Sequence, residues 1–244
     1  MIRLGFCVVL WILFSIVAAV GGFPALYLTG RIDLLWELSL WAARSGYRLA
    51  GIRVRAVGRE QLEDGRAYLF MSNHASNLDP PVITPLLGQR IAIIAKQELF
   101  RIPLFGRAMR AARFVAVNRA QRRSAVESVG NAAHVLQSGL GMLVFPEGTR
   151  SRDGKLLPFK RGAFQLAMEA GVPVVPITVV GSHDAWPKGS LVLRAGEIVV
   201  HFHAPIDPRN FATKEALLAA VRTVIQSALP EPCRAPSTAA PPAK

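Results

Sequence analysis

Asn73-His74-Ala75-Ser76-Asn77-Leu78-Asp79 follows an apolar, strand-like run and sets a histidine five residues before an aspartate. An imidazole, with an ordinary pKa of about 6.5, becomes a competent proton acceptor near neutrality with little perturbation. A carboxylate on its second ring nitrogen fixes the tautomer and stabilises the imidazolium that forms when the ring takes a proton. The pattern therefore offers a general base with its orienting acid. It also admits a plainer reading. Asp79 precedes Pro80, so it could cap a helix with proline at the first position, leaving His74 as a loop histidine bonded to backbone. Ser72 and Ser76 flank His74 and raise a serine nucleophile, but no G-x-S-x-G turn occurs anywhere in the chain.

A second stretch, Val144-Phe145-Pro146-Glu147-Gly148-Thr149-Arg150-Ser151-Arg152, ends an apolar run in a turn that displays an acid, a glycine and two arginines. Glycine lets backbone N–H groups approach an anion, and arginine grips phosphate with paired donors. Glu147 could accept from a substrate hydroxyl or hold an arginine, and a surface turn with a salt bridge would look the same. The third stretch carries Arg101, Arg107, Arg110, Arg113, Arg119, Arg122 and Arg123, with no acid between Glu98 and Glu127. Such a single-sign field draws anions or lipid head groups. Arg119 directly follows a strand-like run, where α/β sheets place ligand contacts. His201 and His203 share one face of a strand, but no third metal ligand is evident and no metal is expected. His183-Asp184 and His134 read as structural.

These residues need a scaffold. From residue 52 onward, short apolar runs (52–57, 67–72, 91–95, 114–117, 142–145, 174–180) alternate with helical candidates at 80–87, 125–137 and 162–170. That alternation predicts an α/β domain with a mixed, largely buried β-sheet flanked by helices. Residues 191–194 and 197–203, joined at Ala195-Gly196, read as a hairpin. Residues 213–229 read as a final amphipathic helix with Thr213 as its cap. The division expected is 1–50 for membrane-associating helices, 51–229 for the catalytic domain, and 230–244 for a disordered tail rich in proline and alanine.

The chain has 244 residues, a formal net charge of +13 and 51% hydrophobic residues. Basic and apolar together point to an anionic membrane surface. No recognition helix, finger or aromatic-basic RNA motif supports nucleic acid. Residues 4–28 hold no charge, and at about 1.5 Å per residue could cross a hydrocarbon core of roughly 30 Å. Gly21-Gly22 and Pro24 also allow a bent or re-entrant segment. Arg3 and Ala18-Ala19 suit a signal peptide, but the apolar run is too long and lacks a clean cleavage pattern. Basic residues accumulate after this segment, which places the following domain on the cytoplasmic side of the inner membrane. Residues 32–50 form a helix with an imperfect polar stripe (Asp33, Glu37, Arg44, Arg48) and two tryptophans suited to a membrane interface. Cys7 and Cys233 lie near opposite ends, so no disulfide framework is expected.

Four ordered blocks now carry a resemblance. They are Asn73-His74 with Asp79; Lys96-Gln97-Glu98-Leu99 with Ile102-Pro103-Leu104-Phe105-Gly106 leading to Asn118-Arg119; Phe145-Pro146-Glu147-Gly148-Thr149-Arg150-Ser151; and Val172-Pro173-Val174-Val175-Pro176-Ile177. In this order the chain resembles the membrane glycerolipid acyltransferases, most closely the bacterial 1-acylglycerol-3-phosphate acyltransferases. The resemblance implies the glycerol-3-phosphate acyltransferase-like fold. It implies acyl transfer from acyl-CoA or acyl carrier protein to a lysophospholipid hydroxyl at a membrane, with no cofactor. His74 would be the base and Asp79 its acid. Asn73, Lys96, Arg119, Glu147, Gly148, Thr149 and Arg150 would form the acceptor site, and Val175 and Pro176 would shape the acyl-donor pocket. The second block departs from the family's usual pattern: Asn118 replaces the more common aspartate, and Arg113 stands where glycine is frequent. An ornithine-lipid or other lysolipid acyltransferase would share all four blocks.

Overall fold

The computed structural model describes residues 22–117 and 122–234. Helices α1 (Phe23–Thr29) and α2 (Asp33–Leu49) precede strand β1 (Ile52–Val57). Then come β2 (Leu69–Ser72), α3 (Asp79–Ile83), β3 (Ile91–Lys96), α4 (Phe105–Ala111), β4 (Val115–Val117) and α5 (Arg122–Gln137). The chain ends through β5 (Gly141–Val144), α6 (Arg161–Ala170), β6 (Val174–Val180), α7 (Ser182–Ala185), β7 (Gly196–Phe202) and α8 (Lys214–Ser227). The strands form one sheet in the order β1-β7-β6-β2-β5-β3-β4. Every pairing is parallel except β6 with β7.

Strands covered on both faces read as continuous apolar runs, because alternate side chains need separate apolar partners. Leu69-Phe70-Met71 does this: Phe70 enters one core with Val82, Ile83 and Val175. Leu69 and Met71 enter the other, with Leu136 of α5, Phe164 of α6 and Val221 of α8. Truncating a fully buried phenylalanine such as Phe70 costs about 3–5 kcal/mol. The mixed, buried sheet expected from the sequence is thus the observed one.

This topology sets the site. Because β6, β2 and β5 are adjacent and parallel, the segments after Val180, Ser72 and Val144 leave the same edge of the sheet. That edge, beyond the carboxyl ends of the strands, is where α/β sheets bind ligands.

Several elements differ from expectation. The hairpin does not form: residues 191–194 are not a strand, and β7 lies between β1 and β6 instead. The local Ala195-Gly196 signal lost to pairing partners distant in sequence. The helix after Asp79 is α-helical only to Ile83 and tightens into a 3-10 turn at Thr84–Leu86. Two residues of the polar stripe of α2 reach the domain: Asp33 pairs with Arg90, and Arg44 donates to the Pro85 carbonyl. Trp41, 59% exposed, and Leu34 face outward. Among the described residues no helix is long and apolar enough to cross a membrane. Most of the apolar segment, residues 1–21, lies outside them with Cys7. The chain stays packed as far as Arg234, where the Cys233 carbonyl accepts from Leu156. Residues 235–244 lie outside the description.

Candidate active site

Between Ser72 and α3 the chain turns so that Asp79, the first residue of α3, points back at the residues before it. Its Oδ2 accepts from His74 Nδ1 at 2.7 Å and from the backbone N–H groups of Ala75 and Ser76 at 2.8 Å each. Asp79 does not cap its helix, so the plainer reading of this aspartate falls away. The carboxylate is fully buried, and Oδ1 has no hydrogen-bond partner. With Nδ1–H held by the acid, the lone pair of His74 lies on Nε2. The imidazole side chain is 17% exposed and stacks on Phe145, centroids 4.0 Å apart.

The Phe145–Ser151 turn grips the histidine by its main chain as well. His74 N–H donates to Glu147 Oε1 at 2.7 Å, and Ser151 N–H donates to the His74 carbonyl at 2.8 Å. Glu147 is only 2% exposed, and its Oε2 accepts from Leu157 N–H. Both of its oxygens therefore serve backbone amides. Glu147, expected to contact the acceptor, is instead a carboxyl group that fixes the loop carrying His74. Burial pushes this carboxyl up to about 7 and the nearby Asp79 adds to the rise, whereas the two amide bonds and the cation of Arg222 oppose it. Arg222, on α8, donates to the Leu157 carbonyl and stacks on Phe159. A chain of contacts thus runs from the His74 amide through Glu147 and Leu157 to the last helix.

Asn73 is likewise turned inward. Its amide donates to the Val179 carbonyl and accepts from Val179 N–H, so it ties the end of β2 to β6 rather than facing ligand. Gly148 adopts φ +69°, and an added Cβ would meet the Lys160 side chain at 2.9 Å. This left-handed turn turns the chain toward Thr149, which is exposed, and Arg150, which is half-buried. Lys96 ends β3 at the same sheet edge and is exposed. Arg119 lies outside the described residues. Val175 and Pro176 are buried in β6, opposite Phe70 and Met71, where they pack the core without reaching a ligand surface.

The serine alternative loses its nucleophiles. Ser72 is fully buried with its hydroxyl on the Asn73 carbonyl; the Ser76 hydroxyl donates to the Trp186 carbonyl and accepts from Leu78 N–H. His201 and His203 do stack on one face, but His203 Nε2 pairs with Thr178. Among the described residues no group of three metal-capable side chains exists.

Sequence reasoning missed Lys188 and Arg222. Lys188 Nζ donates to the Arg150 carbonyl at 2.8 Å and to Thr149 Oγ1 at 3.2 Å. No spacing rule links these residues, because contacts across 38 and 65 positions are made only by the fold.

Residues 53–180 match the family model described as Acyltransferase. The chain is 35% identical over 158 residues to a 1-acyl-sn-glycerol-3-phosphate acyltransferase of Limnanthes douglasii, covering 64% of this chain and 56% of that one. It is 34% identical over 198 residues to the human 1-acyl-sn-glycerol-3-phosphate acyltransferase alpha, covering 80% of this chain and 69% of that one. The chain spans about half the length of the plant relatives it matches. Its fold superimposes on the crystal structure of the 1-acyl-sn-glycerophosphate (LPA) acyltransferase, PlsC, from Thermotoga maritima. The TM-score is 0.75 at 30% identity, over 92% of this chain and 95% of that one.

Proposed function

The chain belongs to the Acyltransferase family, and on that premise we propose that it moves a fatty acyl group from a thioester, acyl-CoA or acyl carrier protein, to the free hydroxyl of 1-acylglycerol 3-phosphate, giving phosphatidic acid. The observation that carries this reading is the 2.7 Å contact between His74 Nδ1 and Asp79, which leaves Nε2 as the base. An alcohol attacks a thioester well only if its proton leaves as the bond forms, and a placed base contributes typically about 10²–10⁴-fold. His74 Nε2 takes that proton while the acceptor oxygen attacks the carbonyl carbon. Asp79 holds the imidazolium. The tetrahedral intermediate then expels the thiolate, which recovers the proton from His74. Transfer is direct, without an acyl-enzyme, and needs no cofactor because the donor arrives activated.

Arg150, Lys96 and Arg119 are the proposed contacts to the acceptor's phosphate and glycerol, with the Gly148 turn presenting Thr149. Membrane lipid is the proposed support, on the cytoplasmic face of the inner membrane, where acyl thioesters are made. Exposed Tyr27, Leu28, Trp41, Leu104 and Phe105, with exposed Arg101, Arg107 and Arg110, favour such a surface. The test is mass spectrometry of the lipids formed by the purified full chain from a panel of lysolipids with each donor. Phosphatidic acid from 1-acylglycerol 3-phosphate is expected. Acylation of a lyso-ornithine lipid instead, or no acylated lipid with any pair, would overturn the assignment.

A further inference from the structure

The segment after β6 lies across both functional turns. Trp186 to Ser190 closes on itself: the indole N–H donates to the Ser190 carbonyl at 2.7 Å, and Ser190 N–H donates to the Pro187 carbonyl. Gly189, at φ +85°, allows the tight return. Ser76 anchors this loop from the His74 side through its hydroxyl and its bridge to Pro187. Lys188 anchors it from the other side, on Thr149 and Arg150.

The partners of Lys188 are what single it out. Lys188 is half-buried; its ammonium touches a hydroxyl and a carbonyl, both neutral, and no carboxylate among the described residues pairs with it or with the Arg150 guanidinium. A partly desolvated cation held without a counter-charge is costly, and that cost is recovered when an anion arrives. An ammonium has three donors, and two are used. Ser151, next to Arg150, is bonded to the His74 carbonyl, so an anion here lies beside the catalytic base.

We propose that Lys188 is a further binding residue, which with Arg150 takes the phosphate monoester of the acceptor and sets its hydroxyl, two carbons away, before His74. This rests on the acyl-transfer reading above. Acyl-CoA also carries a phosphate monoester, so the experiment separates the two sources.

Turnover of the full chain is compared for wild type, Lys188→Met, Lys188→Gln and Lys188→Arg. The acceptors are 1-acylglycerol 3-phosphate and 1-acylglycerol, with acyl-CoA varied separately. Losing one charge-assisted contact predicts an acceptor KM raised about ten- to hundredfold in the Met and Gln variants, with kcat within about threefold. Lys188→Arg restores most of the affinity, and whatever turnover exists on 1-acylglycerol is unaffected. Equal losses on both acceptors would reduce Lys188 to a brace for the loop. An unchanged acceptor KM with a raised acyl-CoA KM would move the site to the donor. Calorimetric titration with soluble 1-hexanoylglycerol 3-phosphate reads binding without turnover. If wild type binds it and the uncharged variants do not, the site stands even should the acyl-transfer reading fail. If wild type does not bind it, or all four proteins bind alike, the proposal is overturned.

Discussion

Two segments leave neighbouring strands at one edge of the sheet, the Phe145–Ser151 turn after β5 and residues 97–113 after β3, and both contain left-handed backbone. In the first the position is Gly148, and the polar groups around it turn inward onto His74. In the second the positions are Leu104 at φ +60° and Arg113 at φ +59°, with Leu104 57% exposed and Arg113 also outside. The Gly148 turn is tied to His74 by hydrogen bonds to both its N–H and its carbonyl. The basic segment instead leaves apolar and cationic side chains exposed, at some cost in backbone energy. One segment turns its polar groups onto the end of β2, and the other, between β3 and β4, leaves most of its side chains to solvent.

The comparison breaks first if the catalytic turns are not where activity resides. Replacing His74 by alanine removes the base and is expected to cut kcat about 10³-fold or more, with membrane association and fold intact. Steady-state lipid turnover beside a thermal melt checks both. Asp79→Asn keeps the size but loses the charge and forces an amide into a place that receives three donors. A fall of about 10²–10³ in kcat is expected, with a lower melting temperature because the site is fully buried. Near-normal kcat in either variant would move the chemistry elsewhere. Arginine-to-glutamine changes at Arg101 and Arg107, by contrast, should alter vesicle binding and its salt dependence while leaving kcat in detergent unchanged.

Glu147 sharpens the contrast through stability. The carboxyl ionises near 4.5 in the unfolded chain and near 7 in the folded one. Between those values the folded state keeps a proton that the unfolded state has lost. Stability therefore falls as pH rises from about 4.5 to 7, and levels off above. The difference is worth roughly 3 kcal/mol from this group. Urea unfolding across that range should show the slope, and Glu147→Gln should remove it while weakening the hold on His74. An identical slope in the variant would mean that Glu147 is not the group responsible.

What was readable in advance follows the range of the interactions. His74 and Asp79 sit five residues apart, so a turn alone brings them together, and the apolar strands announce themselves because both faces are buried. Asn73 looked like a ligand contact because nothing local shows that its amide completes hydrogen bonds with Val179, 106 residues away. Glu147 carried the same ambiguity: an acid in a glycine turn looks alike whether it meets substrate or the amide of His74. Lys188 carried no signal, since its role comes from a loop folded over turns distant in sequence. The hairpin failed for the same reason, with a local turn outweighed by β1 and β6.

Arg113 offers the gentlest test. It adopts φ +59° at the end of α4, a conformation that glycine takes without strain. Arg113 N–H donates to the Arg110 carbonyl and Phe114 N–H to the Met109 carbonyl, the paired closure that ends a helix with a left-handed residue. A non-glycine residue pays about 1–2 kcal/mol for that conformation, against about 0.5–1 kcal/mol of extra chain entropy lost when glycine folds. The two nearly cancel, leaving a net gain of about 0.5 kcal/mol for Arg113→Gly, or a melting temperature about 1–2 °C higher. One outward cation disappears with it, so vesicle binding should weaken slightly while kcat stays level. A variant less stable than the parent would mean that the arginine side chain contributes contacts which outweigh the backbone cost, and that this segment too is held in place by specific bonds.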